Sequence, residues 1–195
     1  MEQLNYKELK AYRRKVTTYT ANKELWANNK QALSNHKWYK ALMGMWSETY
    51  FKHEIALVHP ELLQMWKFNV PYRVNTYKRK HVTIDLDALF FTNKVVDIKT
   101  YTDIRFFNTS YKPDYYCIIN VKYDDPYAIE YFRGRPMIMN TNSWDYYLNP
   151  ENVIFDFLGL QSKQDVWSNK KFLPENYETN LKKWMSDRFN EDGIQ

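Results

Sequence analysis

The chain is short of glycine and nearly free of cysteine: its 195 residues include four Gly and a single Cys, Cys117. One cysteine excludes an intrachain disulfide and a multi-cysteine zinc site, and it suits a reducing compartment. So few glycines argue against a Gly-rich phosphate loop and against an architecture of repeated tight turns. No apolar run approaches the ~18 residues that a membrane-spanning helix needs. The opening Met-Glu-Gln-Leu-Asn-Tyr-Lys-Glu also lacks the charged-then-apolar layout of a secretory signal. These absences lead us to expect a soluble cytoplasmic protein with no membrane partner. A chain of 195 residues has room for one ample domain and too little for two, and no internal repeat or low-complexity linker divides it, so a single domain is expected.

What is present is core material. Hydrophobic residues make up 44% and aromatics 18% of the chain, with 17 Tyr and 7 Trp, a composition that folds. The net charge of +5 inclines the chain toward an anionic partner, nucleic acid first. The basic cluster Arg73, Lys78, Arg79 and Lys80, interleaved with Tyr72 and Tyr77, suits phosphate contact and base stacking. Arg133 and Arg135 form a second such candidate. The N-terminal set Lys10, Arg13, Arg14 and Lys15 reads as a solvated helix face. The four histidines, His36, His53, His59 and His81, show no metal-ligand spacing.

Periodicity places helices over residues 2–33, with a break near 17–21, and over 36–57, where Trp38, Ala41, Leu42, Met45 and Thr49 share a face. A short helix over Glu61–Trp66 and a β region opening at Pro71 follow. Strands are expected at Tyr72–Tyr77, His81–Phe91, Lys94–Tyr101, Tyr115–Tyr123 and Ala128–Met139. The near-continuous apolar run in Tyr116–Tyr123 suits a strand covered on both faces. Residues 149–160 hold an apolar patch, and Pro174 opens a final helix ending near Phe189. The class is α/β or α+β: a central mixed sheet flanked by helices, with a helical N-terminal extension at 1–35, a core at 36–139 and a C-terminal extension with its terminal helix at 140–195.

Thr83–Tyr101 carries the chemistry. It reads as two strands joined at Thr92-Asn93-Lys94. Side chains alternate along a strand, so Asp85 and Asp87 share one face of the first, and Asp97 and Lys99 one face of the second. The opposite faces, with Ile84, Leu86, Ala88, Phe90, Val96 and Ile98, are core. Carboxylates gathered in this way repel unless a cation neutralises them, and Mg²⁺ or Mn²⁺ takes such oxygen ligands. A metal held by Asp97 and by Asp85 or Asp87, with Lys99 orienting water or stabilising charge on phosphorus, is a set of parts for phosphodiester hydrolysis.

Val-Val-Asp97-Ile-Lys99-Thr-Tyr resembles the second half of the PD-(D/E)xK nuclease motif. Ile84-Asp85 stands where that superfamily often has Pro-Asp, which favours Asp85 over Asp87 without excluding Asp87. Gly44-Met-Trp-Ser-Glu48-Thr-Tyr-Phe51 is similar to the helix that carries a further glutamate, and Asp114-Tyr115-Tyr116 to the start of the strand after the motif. The resemblance covers residues 38–139. It implies a restriction-endonuclease-like core, Mg²⁺- or Mn²⁺-dependent cleavage of DNA, with RNA as a subsidiary substrate, and a catalytic set of Asp85, Asp97, Lys99 and Glu48. Restriction-type enzymes are often dimers, so a homodimer is compatible with it. The alternatives from other classes are a non-enzymatic virion or assembly component and a DNA-binding module without catalysis.

Overall fold

The computed structural model describes residues 1–16, 30–58, 60, 64, 66–74, 82–90, 94–100, 113–129, 143–162 and 183. In chain order the elements are α1 (Tyr6–Lys15), α2 (Lys30–Val58), β1 (Trp66–Val74), β2 (Val82–Phe90), β3 (Lys94–Thr100), β4 (Tyr115–Tyr123), α3 (Ser143–Leu148), a 3₁₀ turn (Pro150–Asn152) and β5 (Val153–Ser162). The five strands form one sheet in the order β1-β2-β3-β4-β5. β1 and β2 pair antiparallel, as do β2 and β3, whereas β3 and β4 run parallel, so the sheet is mixed and the class is α+β. No described helix is long and apolar enough to cross a membrane.

The chain divides into two compact units, Met1–Tyr50 with Val121–Phe155, and Phe51–Asn120 with Asp156–Gln195. In the first, α1 starts at Asn5, whose side chain accepts from the Lys7 N–H at 2.8 Å and so satisfies one open helix donor. Arg13, Arg14 and Lys15 close the helix, where cations offset the negative end of its dipole. Arg13 is not merely solvated, contrary to the reading of the N-terminal basic set. Its guanidinium lies 4.5 Å from the Trp38 ring centroid, and its Nη2 donates to Ser34 Oγ at 2.9 Å. Trp38 in turn packs against Tyr6 and Trp144.

Within this unit α2 buries Ala41, Leu42, Met43 and Trp46, whereas Trp38, Met45 and Thr49 of the expected stripe are only partly buried. Three consecutive buried positions mean that the helix is covered on several sides. The Trp46 indole N–H sits 3.0 Å from the Tyr123 hydroxyl and 3.1 Å from the Tyr147 carbonyl. The Tyr123 hydroxyl donates to the same carbonyl at 2.9 Å. A buried indole or phenol needs such partners. Burial drives the Tyr123 phenol far above the ordinary tyrosine range, so it stays a neutral donor.

In the second unit β1 begins at Trp66, the last residue of the helix expected over Glu61–Trp66, of which residues 61–63 and 65 lie outside the described residues and Gln64 is 3₁₀-helical; Pro71 lies inside the strand instead of opening it. β1 is the outermost strand in the sheet order, and proline is tolerated there because the outer ladder does not need its N–H. Trp66 is buried and meets Phe51 edge-on, with ring centroids 5.3 Å apart. The core continues through Ile55, Leu86, Ala88, Val96, Ile98, Tyr116, Cys117, Ile118 and Ile119. The run Tyr116–Ile119 is buried throughout, as expected for a strand covered on both faces.

Ala128 lies in a turn, not at the start of a strand. The chain reverses there because Asp125 Oδ1 accepts from the Tyr127 N–H at 2.8 Å. The rest of the strand expected to run to Met139 lies outside the described residues. So does the expected helix at Pro174–Phe189, except Lys183, which is helical. The apolar patch at 149–160 supplies β5, and α3 was not foreseen.

Candidate active site

The hairpin of β2 and β3 forms with the pairing Phe90↔Lys94, Leu89↔Val95 and Ala88↔Val96. Continued by one step, this register sets Asp87 opposite Asp97. The ladder stops before that step. Backbone accounting gives the reason, since every buried N–H needs an acceptor. The Ile98 N–H is taken by the Asp87 carboxylate, with Oδ2 at 2.8 Å, where a regular ladder would use strand backbone. Ile98 is the residue between Asp97 and Lys99, so the two acids are tied to neighbouring positions.

Asp97 is fully buried. Lys99 Nζ donates to its Oδ1 at 2.7 Å, and about a third of the Lys99 side chain remains exposed (33%). Alternation along β3 accounts for this contact, because positions 97 and 99 point the same way. Burial alone would favour a neutral Lys99. The charges of Asp97 and Asp87, together with the Asp97 hydrogen bond, outweigh it and hold the lysine above its ordinary range. Lys99 is therefore a fixed cation at neutral pH and not a proton acceptor.

The parallel strand β4 closes the other side. Asp97 pairs with Tyr116 and Lys99 with Ile118. Asp114 sets this register through two bonds to one residue: its Oδ2 accepts from the Val95 N–H at 2.8 Å, and its own N–H donates to the Val95 carbonyl at 2.9 Å. Cys117 is buried, and burial followed by the charges of Asp87 and Asp97 pushes its thiol well above the ordinary range, so it is no nucleophile at neutral pH.

No protein-family model, curated protein or solved structure matches the chain. Of the residues singled out in the sequence, Asp87, Asp97 and Lys99 come together. Asp85 lies in β2 opposite Pro71, and its side chain falls outside the described residues. Arg73 is exposed on β1, next to the half-exposed Tyr72. Lys78, Arg79, Lys80, Arg133 and Arg135 lie outside the described residues.

Glu48 belongs to the first unit, where it is nearly buried on α2. Tyr12 of α1 donates its hydroxyl to Glu48 Oε1 at 2.6 Å. Gly44 stands one turn before Glu48. A Cβ there would lie 2.8 Å from the Tyr12 hydroxyl and 3.3 Å from two of its ring carbons. The Gly-x-x-x-Glu spacing thus has a local structural account: the glycine admits the tyrosine that the glutamate binds. Sequence reading missed Tyr12 because its partner is 36 residues away.

Among the described residues no group of three or more His, Cys, Asp and Glu side chains is arranged to hold a metal ion. Mg²⁺ does not require one. It is commonly held by one or two carboxylates, with water and substrate phosphates completing its shell. Asp87 and Asp97 are hard oxygen donors of that kind, and together with Lys99 they sum to one negative charge.

Proposed function

We propose that the chain is a metal-dependent nuclease that hydrolyses phosphodiester bonds, with DNA as first substrate and RNA as second. The observation that carries this reading is the buried Asp97 held 2.7 Å from the ammonium of Lys99, with the Asp87 carboxylate anchored on the amide between them. Asp97 and Asp87 are the carboxylates that would hold Mg²⁺ or Mn²⁺, and Asp85 is the next acid along β2. A bound divalent cation would supply Lewis-acid polarisation of the phosphate and lower the pKa of bound water.

Lys99 contributes a permanent positive charge beside that position. It is suited to orient the attacking water or to stabilise the charge that grows on the phosphoryl oxygens. Its exposed third gives it a way to substrate. Arg73 on β1 offers a phosphate contact. The order of parts also supports the PD-(D/E)xK resemblance: a helix, an acid on β2, Asp-x-Lys on β3, then an apolar strand parallel to β3. Glu48, which accepts from Tyr12 within the first unit, is the further glutamate of the family pattern and takes no part in this scheme.

The test is cleavage of single-stranded, double-stranded and branched DNA, and of RNA, with Mg²⁺ or Mn²⁺. The wild type is expected to cut, and Asp97→Ala and Lys99→Ala are expected to lose at least two orders of magnitude in rate. Mn²⁺ at a hundred times its dissociation constant should also stabilise the wild-type fold by about 2.7 kcal/mol, and Asp97→Ala should not respond. A wild type that neither cuts any of these substrates nor gains stability from either ion refutes the proposal.

A further inference from the structure

One backbone outlier lies on β1, across β2 from this site. Asn69, in the middle of β1, has φ 52°, and it is the one non-glycine residue with positive φ among those described. Asparagine tolerates this left-handed conformation better than most residues, but a strand interior gives it no ordinary reason to adopt it. The register of β1 with β2 runs from Trp66↔Phe90 to Val74↔Val82 and skips one position, at which Asn69 faces Asp87. On its other side β2 leaves the ladder with β3 at the same residue, just past Ala88↔Val96. Asp87 therefore sits where both neighbouring ladders are interrupted, and its carboxylate reaches across to the Ile98 amide.

We infer that Asn69 is a positioning residue for Asp87. Its left-handed backbone breaks the β1–β2 ladder opposite Asp87, and this lets β2 part from β3 and turn the Asp87 carboxylate onto the Ile98 amide beside Asp97 and Lys99. Strained backbone persists where the surroundings enforce it, and it concentrates where a function depends on it. A residue with an ordinary β conformation at 69 would restore the regular ladder. Asp87 would then lose its hold on Ile98 and its place beside Asp97. The consequence for metal binding rests on the nuclease reading above, whereas the consequence for the Ile98 amide does not.

The experiment compares Asn69→Val, the milder Asn69→Ala and Asn69→Gly with the wild type. Valine and alanine resist positive φ, and glycine accepts it. The first readout is the Ile98 amide proton resonance, which a carboxylate acceptor moves downfield, with Asp87→Asn as its reference. Asn69→Val and Asn69→Ala are expected to move it toward the Asp87→Asn position, and Asn69→Gly to leave it in place. The second readout is the Mn²⁺ concentration for half-maximal cleavage, expected to rise at least tenfold in Asn69→Val and Asn69→Ala and to stay near wild type in Asn69→Gly. In an Asp87→Ala background Asn69→Ala should add nothing further, as expected for residues acting through one another. An Ile98 resonance that stays at its wild-type position in both Asn69→Val and Asn69→Ala overturns the inference. If the resonance moves as expected while the wild type shows no metal response, the positioning role stands and the nuclease reading falls.

Discussion

Lys99→Met offers the sharpest test of the pair at the centre of the site. The substitution removes the ammonium and keeps most of the stem. Asp97 is fully buried, and its Oδ1 lies 2.7 Å from the atom that is lost. Removing one partner of a buried ion pair costs about 3–5 kcal/mol, because the other charge stays behind without compensation. Here a third of the Lys99 side chain is exposed, so water screens the pair and about 2–3 kcal/mol is the better figure. For a chain of this length that corresponds to a fall in Tm of roughly 4–12 °C. Asp97→Asn leaves the Lys99 ammonium behind, but that side chain is a third exposed and can be solvated, so the loss should be smaller, about 1–2 kcal/mol. The double variant carries neither charge, so its loss should fall short of the sum of the two single losses by about 1–2 kcal/mol. Urea unfolding of all four proteins measures each quantity. A Lys99→Met protein within about 0.5 kcal/mol of wild type, or a double variant whose losses simply add, would refute the reasoning.

Two further predictions concern the first unit. Gly44→Ala should gain about 1 kcal/mol from helix propensity. It should lose about 1–3 kcal/mol when the new methyl displaces Tyr12 from Glu48. The net effect is a lower Tm, and a rise would show that the Tyr12–Glu48 bond contributes little. The second is a pH effect. Burial, then the hydrogen bond to Asp124, pushes the Tyr146 phenol up to about 12. The fold thus favours the neutral phenol. The stability this contributes is fully present below the unfolded value near 10 and is lost as pH rises through about 12. Tyr146→Phe should flatten that alkaline limb in thermal melts between pH 9 and 12, and an unchanged slope would count against the assignment.

Much of the site's scaffold was legible in the sequence because period-two alternation is a local signal. It separated the buried Leu86, Ala88, Val96 and Ile98 from the acids and the lysine. It could not decide between Asp85 and Asp87. That the Asp87 carboxylate reaches the β3 backbone depends on where the ladder ends, and that end lies opposite Asn69, a residue on a third strand. Long-range partners were equally hidden. Glu48 carried a family role in the sequence, whereas its observed partner, Tyr12, lies on a different helix. Pro71 read as a boundary because proline punctuates strands in general, and only an outermost position in the sheet makes it tolerable inside one. β5 escaped because Val153–Leu158 is apolar without a clean period. Trp38 and Arg13 show how a basic residue on an amphipathic helix is drawn into an aromatic cluster that charge patterning alone does not reveal.

The two hydrogen bonds between Asp114 and Val95 bear on folding kinetics. Parallel strands meet late in folding, because a long connection must close before any pairing energy is gained. Val95 and Asp114 are 19 positions apart in the chain, and bringing two such positions together carries an entropic cost of about 2.6 kcal/mol in its length-dependent part alone. Asp114 gives that encounter a defined starting point. A one-residue slip, which would set Cys117 where Tyr116 faces Asp97, would forfeit both bonds to Val95.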